Sequence, residues 1–97
     1  MAPTRALRLG VMASGAGTNF QALVEACEAG VLPARVELLV VNNPDCGAQH
    51  RAQRRGVPWQ VLDHRDFPSR EALDQALAAA FRRAEVDLVV MAGWMRI

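Results

Sequence analysis

The sequence predicts an α/β fold, a Rossmann-like parallel sheet built as β-α-β-α-β-α-β with strand order 3-2-1-4. Three observations carry that prediction. Apolar runs at Leu9–Ala13, Val36–Val41 and Val86–Ala92 have the composition of strands covered on both faces. Between them, Phe20, Leu23, Val24 and Cys27, and later Ala72, Leu73, Ala76, Leu77, Ala80, Phe81 and Ala84, recur at helical spacing. Strands that alternate with helices imply right-handed crossovers, hence a parallel sheet. The order follows from Pro58, which demotes the Val57–Leu62 strand to an edge. In that order the sheet reverses direction between its first and fourth strands, and a ligand crevice is expected at their carboxyl ends.

Taken in order, Met1 to Ala6 reads as a loose leader and Arg8–Ala13 as the first strand. Ser14-Gly15-Ala16-Gly17-Thr18-Asn19 then turns the chain into a helix that Thr18 or Asn19 is placed to cap and Gly30 to end. Pro33 separates this helix from the second strand, Val36–Val41. Asn42-Asn43-Pro44-Asp45 is a turn cluster, with Asp45 placed to cap a second helix that runs to Gly56. Only scattered alanines mark that helix's inner face. Val57–Leu62 forms the edge strand, and Ser69 caps the third helix, whose Asp74, Arg82, Arg83 and Glu85 face outward. The fourth strand, Val86–Ala92, leads into Gly93-Trp94-Met95-Arg96-Ile97.

Bulk properties narrow the function. At 97 residues there is room for one domain, and 52% hydrophobic content suffices for a core. A formal net charge of +1 gives no electrostatic case for nucleic acid or a membrane surface. Cys27 and Cys46 form neither a metal-ligand motif nor a disulfide framework, and Cys27 belongs to an apolar helix face. No metal is expected. No stretch reaches membrane-spanning length and the first residues lack a cleavable apolar core, so a cytoplasmic protein is expected.

The glycine turn carries the chemistry. It aims the free N–H groups of a helix start above the end of a strand, and the helix dipole favours an anion there. Its functional reading is a phosphate cradle; its plain reading is a tight strand-to-helix connection. A β-branched residue at Gly17 is expected to block close approach of a phosphate. The lysine-ending nucleotide loop is excluded because the chain has no lysine, and the dinucleotide fingerprint fails because Phe20 stands where its third glycine belongs. His64 lies between Asp63 and Asp66, yet a histidine in a polar loop is ordinarily solvated.

Three blocks then bear a resemblance: Ser14–Ala22, Asp66-Phe67-Pro68-Ser69-Arg70-Glu71 and Val89-Val90-Met91-Ala92-Gly93-Trp94-Met95-Arg96-Ile97. Together, in order and at matching spacing, they resemble the glycinamide ribonucleotide transformylase (phosphoribosylglycinamide formyltransferase) family from Arg8 onward. The resemblance implies formyl transfer from 10-formyltetrahydrofolate to the amine of glycinamide ribonucleotide in purine synthesis. It implies that Gly17, Thr18 and Asn19 hold the ribonucleotide phosphate, and that Arg70, Met95, Arg96 and Ile97 contribute to the folate site. On the residues alone, Arg70 is equally an exposed arginine, Met95 and Ile97 ordinary core, and Arg96 a solvated side chain. The family's catalytic Asn, His and Asp fall beyond Ile97. Residues 1–97 are therefore expected to be the N-terminal, nucleotide-binding part of a formyltransferase domain, with no catalytic residue of their own. Its apolar fourth strand would be left on an edge, to be covered by the C-terminal half or by self-association through residues 86–92. The alternatives are a non-catalytic α/β module that binds a phosphorylated metabolite, and a related formyltransferase or formyl-folate hydrolase.

Overall fold

The computed structural model describes residues 6–92. Met1–Arg5 and Gly93–Ile97, and with them the expected folate contacts of Met95, Arg96 and Ile97, lie outside the described residues. The elements are β1 (Leu7–Ala13), α1 (Thr18–Glu28), β2 (Ala34–Val41), α2 (Gly47–Arg55), β3 (Trp59–Val61), a 3₁₀ turn (His64–Asp66), α3 (Arg70–Arg83) and β4 (Leu88–Met91). All strand pairs are parallel, and the order is β3-β2-β1-β4. This is the Rossmann-like order read from the sequence.

Alternation along the strands divides the core in two. Val11 and Ala13 of β1, with Leu39 and Val41 of β2, pack against Phe20 and Val24 of α1 and against Ala48 and Ala52 of α2. On the other face Met12, Leu38 and Val40 meet Leu73, Leu77, Ala80 and Phe81 of α3. The helices thus cover opposite faces, as right-handed crossovers in opposite directions across a sheet require. One irregularity sets this division. The β1–β2 register slips between Leu9 and Gly10, which pair with Val36 and Leu38, so Glu37 is an extra residue. A bulge reverses the alternation, and Val36 and Leu38, two apart in sequence, accordingly enter opposite cores. At Gly10 the Phe81 ring of α3 presses on the strand: a Cβ there would fall 2.4 Å from it.

Helix ends differ from the sequence reading in instructive ways. Gly30, at φ 78°, closes α1: its N–H donates to the Cys27 carbonyl (3.2 Å) and Val31 N–H to that of Ala26 (3.0 Å). This paired pattern satisfies carbonyls that a helix end leaves open. Ser69 caps α3 as expected, its Oγ accepting from Ala72 N–H at 3.1 Å. Asp45 does not cap α2. Cys46 holds the cap position, while Asp45, at φ 59°, donates its N–H to Gln49 Oε1 at 2.8 Å. The α2 inner face is indeed built from the two alanines, both fully buried, because a small residue lets the helix lie close on the sheet. The edge strand is shorter than the Val57–Leu62 run. Only Trp59–Val61 pairs, with Pro58 contributing its carbonyl to Leu39 N–H at 2.9 Å. β4 likewise spans Leu88–Met91 rather than residues 86–92.

Candidate phosphate and folate site

The glycine turn leaves the carboxyl end of β1 and opens α1. Gly15 and Gly17 hold φ values of 112° and 79°, a region where side chains are strained and glycine is at ease. Gly17 occupies the cap position of α1, and a glycine brings no side-chain oxygen to it. Thr18 and Asn19 are therefore not caps. Thr18 is the first helical residue and Asn19 the second, both exposed. The opening N–H groups of α1 carry the positive end of its dipole, and no acidic residue lies in its first turn.

A second layer holds the turn from behind. The Gly15 carbonyl accepts from Ala48 N–H at 2.9 Å, at the start of α2. The Ala16 carbonyl accepts from Arg51 Nε at 2.7 Å, and the same guanidinium also donates to Gln21 Oε1 of α1. Small residues permit this approach. A Cβ at Gly47 would lie 2.7 Å from the Ala16 oxygen, and one at Gly17 would lie 2.5 Å from Ala48 Cα. The Cβ direction at Gly17 is thus filled by α2, so a β-branched residue there would collide with Ala48, whatever it does to a ligand. Gly15 is the position whose Cβ would enter open space. Sequence reading missed Arg51, Gly47 and Ala48. The pairing of small residues at two helix starts was a signal, but a contact across 35 residues is not written in local spacing.

Arg70 is the first residue of α3 and is exposed. Because α3 returns across the sheet, its start lies at the carboxyl ends of the parallel strands. There Arg70 and Asp74 rim a cleft of about 560 Å³ floored by Met12, Phe81, Val89 and Met91, between α3 and the β1–β4 pair. The glycine turn and the cleft therefore share one end of the sheet and flank its point of reversal. Glu71, in the same first turn, offsets the unfavourable dipole contact of Arg70.

The remaining candidates are occupied structurally. Asp63 caps the 3₁₀ turn and accepts from Arg65 through its backbone N–H (3.0 Å), Nε (3.1 Å) and Nη2 (2.6 Å). Those side-chain hydrogen bonds first, and the backbone bond second, hold its carboxyl down at about 2. With Asp63 committed to Arg65, His64 Nδ1 stands off at 3.7 Å. His50 Nε2 pairs with Asp45 at 2.8 Å. Burial first, and the Glu28 charge second, push the Cys27 thiol up, away from nucleophilic use. Among the described residues no three His, Cys, Asp or Glu side chains gather as a metal site, and no helix is long and apolar enough to cross a membrane.

Comparisons with known proteins bear on the fold and the family. The model of the formyl transferase family matches residues 7–97. The phosphoribosylglycinamide formyltransferase of Mycobacterium tuberculosis is 42% identical over 95 residues, covering 98% of this chain and 43% of that protein. The trifunctional purine biosynthetic protein adenosine-3 of Drosophila melanogaster is 39% identical over 99 residues, 7% of its own length. Among solved structures, glycinamide ribonucleotide transformylase 1 from Symbiobacterium toebii superposes with a TM-score of 0.93 at 40% identity, over 98% of this chain and 45% of that one. Its counterpart from Geobacillus kaustophilus gives 0.90 at 42% identity, over 95% and 49%. The chain thus spans less than half the length of each of these relatives. With a family match that runs from β1 through the last residue, the chain belongs to the formyl transferase family.

Proposed function

We propose that this chain supplies the phosphate-binding turn and the start of the folate site of a phosphoribosylglycinamide formyltransferase. The observation that carries the reading is the start of α1, with glycine at its cap position behind a positive-φ turn, set beside the Arg70 cleft at one end of the sheet. Relatives named for glycinamide ribonucleotide and its formyl transfer supply the substrate class.

In this reading the ribonucleotide phosphate sits against the N–H groups at Gly17, Thr18 and Asn19, with the Thr18 hydroxyl as a further donor. Charge-assisted hydrogen bonds from fixed donors outlast salt better than diffuse attraction does. The folate extends along the cleft, where Arg70 meets its glutamate carboxylate and the apolar floor takes its flat body. By the family resemblance, Met95, Arg96 and Ile97 also contribute to the folate site. Transfer then joins the substrate amine to the formyl carbon of 10-formyltetrahydrofolate, breaks the bond from that carbon to the folate nitrogen, and moves one proton from the amine to that nitrogen. Negative charge on the tetrahedral intermediate's oxygen requires fixed donors, and the proton requires an acid–base group. Those roles go to the Asn, His and Asp that the family pattern places beyond Ile97. Residues 1–97 contribute positioning.

Calorimetry with glycinamide ribonucleotide and with its dephosphorylated riboside tests the phosphate assignment. At least tenfold weaker binding of the riboside is expected, about 1.4 kcal/mol; equal affinities would overturn it. For the folate, Arg70→Ala is expected to cost about 1 kcal/mol with a glutamate-bearing folate and almost nothing with an analogue that lacks the glutamate. Equal losses with both would remove Arg70 from the site.

A further inference from the structure

We propose that Arg51 is a positioning residue for the phosphate turn, acting through the Ala16 carbonyl rather than on the ligand. The proposal rests on the phosphate reading above and adds a residue that neither the family resemblance nor the local sequence assigns.

The argument begins with the peptide plane. In a trans peptide the carbonyl and the following N–H point in opposite directions. The Gly15 carbonyl faces α2, held by Ala48 N–H at 2.9 Å, and the Ala16 carbonyl faces α2, held by Arg51 Nε at 2.7 Å. The N–H groups of Ala16 and Gly17 must then point away from α2, on the opposite side of the turn. Successive amides turned to one side form an anion-binding concavity, here continuous with the start of α1.

Orientation is half of the effect. Arg51 is cationic, so its bond to Ala16 is charge-assisted and polarises the Ala16–Gly17 peptide, which makes the Gly17 N–H a stronger donor. A full positive charge also stands behind a turn whose own side chains are neutral. The guanidinium suits this place because its fork serves two partners at once: Nε takes the Ala16 carbonyl while Nη1 takes Gln21 Oε1 in α1. The turn and the helix it opens are thereby locked to α2 through one side chain. Arg55, one turn on, has a different office: it pairs with Glu25 at 3.0 Å and Glu28 at 2.6 Å, near the far end of α1.

A mere staple between α1 and α2 would look similar in a static picture, so the test reads phosphate discrimination. Affinities for glycinamide ribonucleotide and for its dephosphorylated riboside are measured by calorimetry in wild type, Arg51→Ala and Arg51→Lys. Arg51→Ala is expected to lose about tenfold for the ribonucleotide with the riboside unchanged, and Arg51→Lys, which keeps a cation with a single reach, to recover part of the loss. In ligand-free protein, the Gly17 amide nitrogen resonance is expected to move upfield in Arg51→Ala, because the carbonyl before it loses its donor. If Arg51→Ala fails to fold by circular dichroism, Arg51→Gln, a neutral donor, takes its place in the same comparison. Equal losses for both ligands, or none, would overturn the proposal while leaving the phosphate reading intact. A wild type that does not discriminate the two ligands would instead overturn the phosphate reading, and this proposal with it.

Discussion

Gly15 and Gly17 share the same backbone region, yet they answer to different constraints. At Gly15 (φ 112°) a Cβ would stand in open space; at Gly17 (φ 79°) it would strike Ala48 Cα at 2.5 Å and Ala48 N at 3.0 Å. Alanine at Gly15 therefore carries only backbone strain, on the order of 1–2 kcal/mol. Alanine at Gly17 carries similar strain and must also push α2 off the turn, since backbone atoms cannot rotate aside as a side chain can. Urea denaturation is expected to show Gly17→Ala as clearly the more destabilised, with Gly15→Ala close to the strain value alone. Equal midpoints for the two would mean that α2 yields freely, and the docking of Ala48 on the turn would not be the constraint described. A valine at Gly17 that abolishes ligand binding would report this docking as much as any blocked phosphate, so Gly15 is the cleaner probe of close approach.

At the scale of elements, periodicity made most of the fold legible. The apolar stripe through Leu73, Leu77, Ala80 and Phe81 is the buried face of α3, and Pro58 fixed the edge from which the strand order follows. What escaped is what backbone conformation or distant contact determines. Glu85 takes a positive φ of 57° to close α3, its N–H donating to the Arg82 carbonyl at 3.0 Å, a role whose usual residue is glycine. The Glu37 bulge leaves no mark in a run that is apolar on both sides. The site divides likewise: the glycine turn stood out by residue type and Arg70 through the family resemblance alone, whereas Arg51 reaches the turn across 35 residues. The 3₁₀ turn at His64–Asp66 was also missed, and it carries a titratable prediction. Arg65 holds the Asp63 carboxyl down from 3.8 to about 2. A depressed carboxylate contributes stability above its unfolded pKa and loses it as pH falls through the folded one. The stability difference between wild type and Asp63→Asn is expected to be full above about pH 4 and to shrink towards pH 2. Denaturation curves across that range that show a constant difference would mean that the Arg65 pairing does not operate in solution.

The whole molecule is finished on one side and open on the other. Both faces of β1 and β2 are covered, and β3 is a three-residue edge preceded by Pro58, a combination that discourages pairing with a further strand. β4 is the opposite kind of edge. Among the described residues it pairs with β1 alone, and Leu88, Val89 and Met91 are 51%, 41% and 66% exposed. The cleft beneath Arg70 shares Val89 and Met91, so the open edge and the proposed folate wall are one continuous apolar surface. Such an edge offers unpaired backbone donors and acceptors together with apolar side chains, which is the template for strand addition. The 97-residue polypeptide on its own is therefore expected to self-associate, with sedimentation velocity showing species larger than monomer that grow with concentration. Val89→Lys is expected to favour the monomer, since a charge on an exposed edge opposes pairing with another copy. A C-terminal half of the family, supplied in trans, is expected to do the same by covering β4, and to complete the cleft so that folate binding rises with it. A wild-type chain that stays monomeric at high concentration without that half would show that β4 needs no cover.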